Sequence, residues 1–115
     1  MFDHPLAYAY LCAYLLPCAS EVNRTKERLN AFAAASGLEL AATFVEDDAR
    51  RPLAFERFFR AVVRDQVEVV LLPSLLHVMV LGSPGRIREY FEAATEARIV
   101  IIDQDVTNLV GEAIS

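Results

Sequence analysis

Leu6-Ala7-Tyr8-Ala9-Tyr10-Leu11-Cys12-Ala13-Tyr14-Leu15-Leu16 is a continuous apolar run bounded by Pro5 and Pro17. A strand that buries one face alternates polar with apolar residues, whereas a run without alternation suits a strand covered on both faces. The reading is therefore a central strand of a parallel sheet over residues 6–16. A short buried helix competes with it, because alanines and tyrosines are not strong strand formers as a set; prolines at both ends favour the strand. The run is too short to span a bilayer. Met1-Phe2-Asp3-His4-Pro5 ahead of it has no positive n-region, so it does not read as a signal peptide.

Working outward, residues 20–36 carry helical spacing through Val22, Leu29, Phe32 and Ala33, with Ser20 as the expected N-cap and Gly37 as the stop. Residues 38–45 read as a second strand, closed by Glu46-Asp47-Asp48. Pro52 suits the first turn of a helix whose Leu53, Phe55, Phe59, Val62 and Val63 form an apolar stripe. Residues 67–72 are a β-branched run ended by Pro73, and Ser83-Pro84 opens a third helix with Ile87, Tyr90, Phe91 and Ala94 inward. Residues 98–102 form the last strand.

This order predicts an open three-layer α/β/α sandwich with a mainly parallel four-stranded sheet in the order 2-1-3-4 and right-handed crossovers. One domain is expected over residues 1–103, with residues 104–115 as a tail or edge strand. The binding crevice is expected outside the ends of strands 1 and 3, at residues 16–20 and 73–77.

The 115 residues, 55% hydrophobic, with mean hydropathy +0.30, suffice for one core and exclude disorder. The formal charge is −5, and all basic residues but Lys26 are arginines mixed with Glu and Asp rather than gathered into a stripe. Such a chain repels polyanions, so nucleic-acid binding by this chain alone is disfavoured. Cys12 and Cys18, too far apart on an extended segment to bridge, read as free thiols in a reducing cytoplasm.

Each candidate in the crevice has two readings. Cys18 is either a nucleophile activated by a helix N-terminus or a small hydrophobe. His77 is either a base for Cys18 or Ser74, or a hydrogen-bonded structural histidine. Tyr14 is a phosphoryl nucleophile or a packed ring, and Glu46-Asp47-Asp48 is a Mg²⁺ site or a solvated turn. Gly82-Ser83-Pro84-Gly85 either holds an anion or simply caps a helix. Receiver domains share the element order but need an acidic pair after strand 1 and an aspartate after strand 3, where this sequence has Leu16-Pro17 and Pro73-Ser74. Glycine-rich phosphate loops and paired Cys or His metal spacings are missing from the sequence, so no cofactor or metal is expected.

The pattern resembles the N-terminal catalytic domain of resolvase/invertase-type serine recombinases. Ala13-Tyr14-Leu15-Leu16-Pro17-Cys18 resembles that family's opening Gly-Tyr-x-Arg-Val-Ser, and Glu27-Arg28-Leu29-Asn30-Ala31-Phe32-Ala33 its first helix. Phe44-Val45-Glu46-Asp47-Asp48 is similar to its second strand and acidic turn, and Arg51-Pro52-Leu53 to its Arg-Pro-Gly-Leu helix start. Ser74-Leu75-Leu76-His77-Val78-Met79-Val80 resembles its Lys-Leu-Asp-Arg-Leu-x-Arg segment.

The resemblance implies a serine that attacks a DNA phosphodiester while arginines hold the charge of the transition state. Carried onto this sequence, the nucleophile position falls on Cys18 and its arginine on Leu16. Leu76 stands for the aspartate, with His77 and Val80 for two further arginines. Only Arg51 matches, although Ser20 replaces the serine if the loop register slips by two. The family's dimerisation helix and helix-turn-helix region have no counterpart in the sequence after residue 103. The expectation is a domain that keeps the scaffold and loses strand transfer, with self-association or a protein partner and no membrane. The alternative is a thiol-dependent enzyme or small-anion binder using Cys18, His77 and Arg51. Leu75, Val78, Met79, Val80 and Leu81 are the expected apolar interface.

Overall fold

The central strand, β1 (Leu6–Cys12), separates two cores by the size of its side chains rather than by their polarity. Tyr8, Tyr10 and Cys12 point to one face; Ala7, Ala9 and Leu11 point to the other. Successive strand residues alternate faces, so the sequence sends aromatics one way and alanines the other. The computed structural model describes residues 4–48, 53–74, 77 and 84–102.

The other elements are α1 (Ala19–Ala35), β2 (Glu39–Glu46), α2 (Leu53–Asp65), β3 (Val69–Leu72), α3 (Pro84–Thr95) and β4 (Arg98–Ile101). All pairings are parallel and the sheet order is β2-β1-β3-β4, as the sequence predicts. Between Ala7–Leu40 and Tyr8–Ala42 the register skips Ala41, a bulge on the edge strand.

On the alanine face, Leu29 and Ala33 of α1 pack against Ala7, Ala9 and Leu11, and the small β1 side chains leave room for the helix. Across the sheet, Tyr10 stacks on Phe58 with ring centroids 5.2 Å apart, and Phe58 on Phe91 of α3 at 5.6 Å. Gly37, at φ +72°, ends α1 in a left-handed turn in which Leu38 N–H bonds Ala33 O at 2.9 Å and Gly37 N–H bonds Ala34 O at 3.3 Å. Gln66, at φ +53°, ends α2 in a similar way, with Val67 N–H on Val62 O at 3.1 Å.

Three local expectations change. The strand expected over residues 6–16 stops at Cys12, and a 3-10 turn, Ala13–Leu15, follows. β1 loses its neighbour on one side there, because β3 ends at Leu72 and Pro73 has no N–H to continue the ladder. The N-cap of α1 is Cys18 rather than Ser20, its carbonyl accepting from Glu21 and Val22 N–H at 3.1 and 3.2 Å.

The acidic turn is also not uniformly solvated: Glu46 is only 2% exposed. Its Oε1 accepts from Phe55 N–H at 2.8 Å and from the Tyr10 hydroxyl at 3.3 Å. Phe55 lies in the first turn of α2, where N–H groups have no intrahelical partner, so β2 caps α2 from outside the helix. Pro52, Ser83, the segment 78–82 and the tail 104–115 lie outside the described residues. No described helix is long and apolar enough to cross a membrane.

A carboxylate that satisfies a helix N–H from a buried position should be sensitive to truncation. Glu46→Ala is expected to lower unfolding free energy by about 2 to 3 kcal/mol, and Glu46→Gln, which keeps an acceptor, by about 1 kcal/mol. Urea denaturation of both variants checks this; equal losses would mean that the neutral acceptor rescues nothing and that the charge carries the whole effect.

Candidate functional site

The chain beyond β1 brings two sets of polar groups to the C-terminal end of the sheet, one associated with each face. On the α1 face, a cavity of about 480 Å³ opens beside the 3-10 turn. Ala13, Leu16, Val22 and Val45 form its apolar walls, and Cys18, Asn23, Lys26 and Asp47 its polar groups. Ala19, Val22, Asn23 and Lys26 share one face of α1 by their spacing of three and four residues.

Cys18 is exposed and free, and its Sγ lies 3.1 Å from the Ser20 hydroxyl. That hydroxyl, and after it the Glu21 amide at the opening of α1, draws the thiol pKa below its ordinary value. Helix N-terminus and hydroxyl both favour the thiolate.

On the other face the groups are buried. The Cys12 thiol donates to His77 O at 3.1 Å and lies 3.5 Å from the Tyr10 hydroxyl. Cys12 N–H donates to His77 Nδ1 at 2.8 Å. Burial pushes the His77 pKa down to about 4. The ring is neutral near pH 7, with Nδ1 as acceptor and the proton on Nε2. Tyr10 and Tyr14 are both raised above the ordinary tyrosine value, burial being the first cause. Among the described residues the buried Tyr14 hydroxyl has no hydrogen-bond partner.

The sequence places Cys18 and His77 in one crevice across strands 1 and 3. The structure gives each a different partner: Cys18 bonds Ser20, and His77 bonds Cys12. The Cys18 cavity is walled by the 3-10 turn, α1 and the end of β2, and among the described residues none of β3, and none of Pro73, Ser74 and His77, lines it. Tyr14 is a half-buried ring packed against the aromatic core. Arg51 lies outside the described residues, as do Leu76, Val80 and the expected interface at Leu75, Val78, Met79 and Leu81.

Sequence reasoning missed that His77 meets Cys12 and that Tyr10 links Cys12 to Glu46. Tyr10 and Cys12 share a face by the strand period, which was a usable signal. The meeting of both with Glu46 depends on the register Tyr10–Phe44 and Cys12–Glu46. Lys26 and Asn23 were accessible through the helical spacing of α1. Among the described residues no group of three or more His, Cys, Asp or Glu is placed to hold a metal ion.

No protein-family model matches the sequence, and no curated protein matches it. A solved structure does: the C-terminal catalytic domain of ISC1926 TnpA, an IS607-like serine recombinase. The similarity covers 95% of this chain and 78% of that one, at 17% identity and a TM-score of 0.70. The chain therefore has the fold of a serine-recombinase catalytic domain, as the motif resemblance implies. That domain is C-terminal in its own protein, whereas the resemblance named an N-terminal one.

The buried His77 ring gives the site a measurable pH signature. Unfolding frees the imidazole to take up a proton below its ordinary value of 6.5, whereas the folded ring resists protonation down to about 4. The unfolded chain thus binds more protons between those values, and stability should fall by about 2 to 3 kcal/mol as pH drops from 7 to 4. Asp65, held near 2 by the Arg64 guanidinium and then by the Tyr8 hydroxyl, titrates below this window. His77→Asn keeps an acceptor near the Nδ1 position and removes the titration, so urea unfolding against pH should show the slope only in the parent chain. Parallel curves would reject the assignment.

Proposed function

We propose that this chain is a serine-recombinase-like domain that has lost strand-transfer chemistry and serves in the cytoplasm as a protein-interaction or homodimerisation module. Leu16 carries the reading. At the position where the resemblance calls for a transition-state arginine, this leucine packs against the core between β1 and α1, together with Val22 and Val45. A phosphoryl group in transfer gathers negative charge that fixed cations or amides must hold in a dry site. Lys26 is the only cation among the described residues lining the cavity, and Asp47 lines it as well. Removing a single such donor costs about 3 to 4 kcal/mol, or two to three decades in rate. The sequence differs from the family at three arginine positions, Leu16, His77 and Val80, and keeps one, Arg51.

The surface pairing of charges agrees with this reading. Arg24, Arg60 and Arg64 each bond an acid on their own helix, Glu21, Glu56 and Asp65. The module's contact surface is the apolar segment Leu75, Val78, Met79, Val80 and Leu81, and its partner is a second copy or an intact recombinase. Incubated with supercoiled plasmid, the purified chain should give no nicked or recombined product above a buffer control. Product that disappears in Cys18→Ala would overturn the reading.

One observation favours a second reading, a thiol-dependent or anion-binding site: Cys18 is exposed and its thiolate is favoured. In this reading Ser20 rather than His77 activates the thiol, since His77 Nδ1 is engaged by Cys12 N–H. Arg51 is its anion clamp. Near pH 7, Cys18 should react with iodoacetamide faster than the same cysteine in urea-unfolded chain. Ser20→Ala should slow the folded chain about two- to fivefold, the worth of one exposed hydrogen bond. If folded and unfolded chains label equally fast, this second reading is rejected.

A further inference from the structure

We infer that the outer edge of β2 pairs antiparallel with β2 of a second copy of this chain, joining two sheets into one about a two-fold axis. The inference goes beyond the reading above, since it needs only the fold and uses a different stretch of chain from 75–81. β2 is an end strand of the order β2-β1-β3-β4 and bonds a strand, β1, on one side only. Alternate residues turn N–H and C=O to the other side, where no strand meets them. Proteins guard such edges with lysine, proline, an inward charge or a short length. β2 has eight residues, and from Leu40 to Val45 it carries neither charge nor proline. The opposite edge, β4, has four residues and an exposed Arg98.

Shape selects the register. The bulge at Ala41 limits the regular part of β2 to Ala42–Glu46. An antiparallel pair centred on Phe44 matches that part with itself: Phe44 lies opposite the second copy's Phe44, Thr43 opposite its Val45, and Ala42 opposite its Glu46. Residues opposite one another point to the same face, so Phe44, half-buried against Tyr8 and Phe58, extends its aromatic cluster across the axis. Centring on Thr43 instead would set Glu39 opposite Asp47, acid against acid.

Charge selects a second copy as the partner. Phe55 N–H on Glu46, and Asp65 on the hydroxyl of Tyr8, which pairs with Ala42, hold α2 alongside β2 and pointing the other way. Leu53 and Arg57 border the end of β2 together with Asp47 and Asp48. Arg57, Arg60 and Arg64, spaced three and four apart, continue down that side of α2. In the pair centred on Phe44, the second copy's exposed Asp47 and Asp48 come opposite Ala41 and Leu40, at the level of Arg64, and its Glu39 comes to the end of β2 near Arg57. Arg60 and Arg64 are held only by exposed pairs with Glu56 and Asp65, which hold them weakly. The acids of each copy thus meet the arginines of the other, and the two-fold axis repeats the match.

A contact of this length falls at the small, weak end of protein interfaces, so a dissociation constant on the order of 10 to 100 µM is expected by sedimentation velocity. Thr43 lies beside the axis, so Thr43→Lys and Thr43→Glu each bring like charges together and should weaken the dimer about three- to tenfold. An equimolar mixture of the two, both folded by circular dichroism, should recover the parent affinity, and Thr43→Val should dimerise as the parent does. A chain that stays monomeric through this range, charged variants that dimerise as tightly as the parent, or a mixture no tighter than either variant alone overturns the inference. Where the dimer survives both charged variants, self-association through another surface still stands. A monomer removes self-association altogether and leaves a different protein as the partner.

Discussion

Cys12 N–H stands on the last rung of β1, where the neighbouring strand has already ended at Leu72, and the imidazole of His77 takes the place of the missing carbonyl at 2.8 Å. An N–H with no water within reach must find a partner or cost about 1 to 3 kcal/mol. The thiol of the same residue returns a hydrogen bond to His77 O. Two bonds at one residue thus fix the chain that leaves β3 against the end of β1. They also free the segment after Cys12 from the sheet, so that it can turn through Ala13–Leu15 and present Cys18 at the head of α1. The imidazole can do this only while neutral, and its burial keeps it so.

How far the sequence announces this arrangement depends on how local each cause is. The unbroken apolar run from Leu6 signalled a doubly buried strand, and alternation of strands with helices implied the order β2-β1-β3-β4, because right-handed crossovers leave few other choices. Where β1 ends is a different matter, since it depends on where β3 ends, some sixty residues later in the chain. Ser20 looked like a cap by side-chain type, yet a cap is defined by backbone geometry and fell on Cys18. Glu46 looked like one of three solvated acids until the register with Cys12 set it beside Tyr10. Cys18 and His77 were singled out because both follow strands. Their separate partners were not legible, because Ser20 is chosen by the cap and Cys12 by the sheet.

The sheet also keeps the two polar groupings apart. Cys12, Tyr10 and Glu46 share the aromatic face with α2 and α3, whereas Leu16, Val22 and Val45 share the alanine face with α1. Strand periodicity enforces the division: Val45 and Glu46 are neighbours in the chain and point to opposite cores. Perturbations on the two faces have few shared contacts through which to couple, and independent sites of this kind usually combine additively. The buried cluster answers for the joining of β1, β2, α2 and residue 77, and the exposed cavity is left to meet solutes.

On the proposed reading, that separation explains how such a domain outlasts its chemistry. Several guanidiniums converging on an empty phosphate site repel one another, and an active site of that kind is held at a cost in stability. A leucine at position 16 removes one such charge and adds apolar contact with the α1-side core. The groups that specify the fold lie elsewhere, in the alanine and aromatic faces of β1, the stacked rings of Tyr10, Phe58 and Phe91, and the Glu46 cap on α2. None of them depends on a cation at the end of the sheet. Apolar replacement there therefore works with the folding energetics rather than against them, and the scaffold persists with a surface open to other uses.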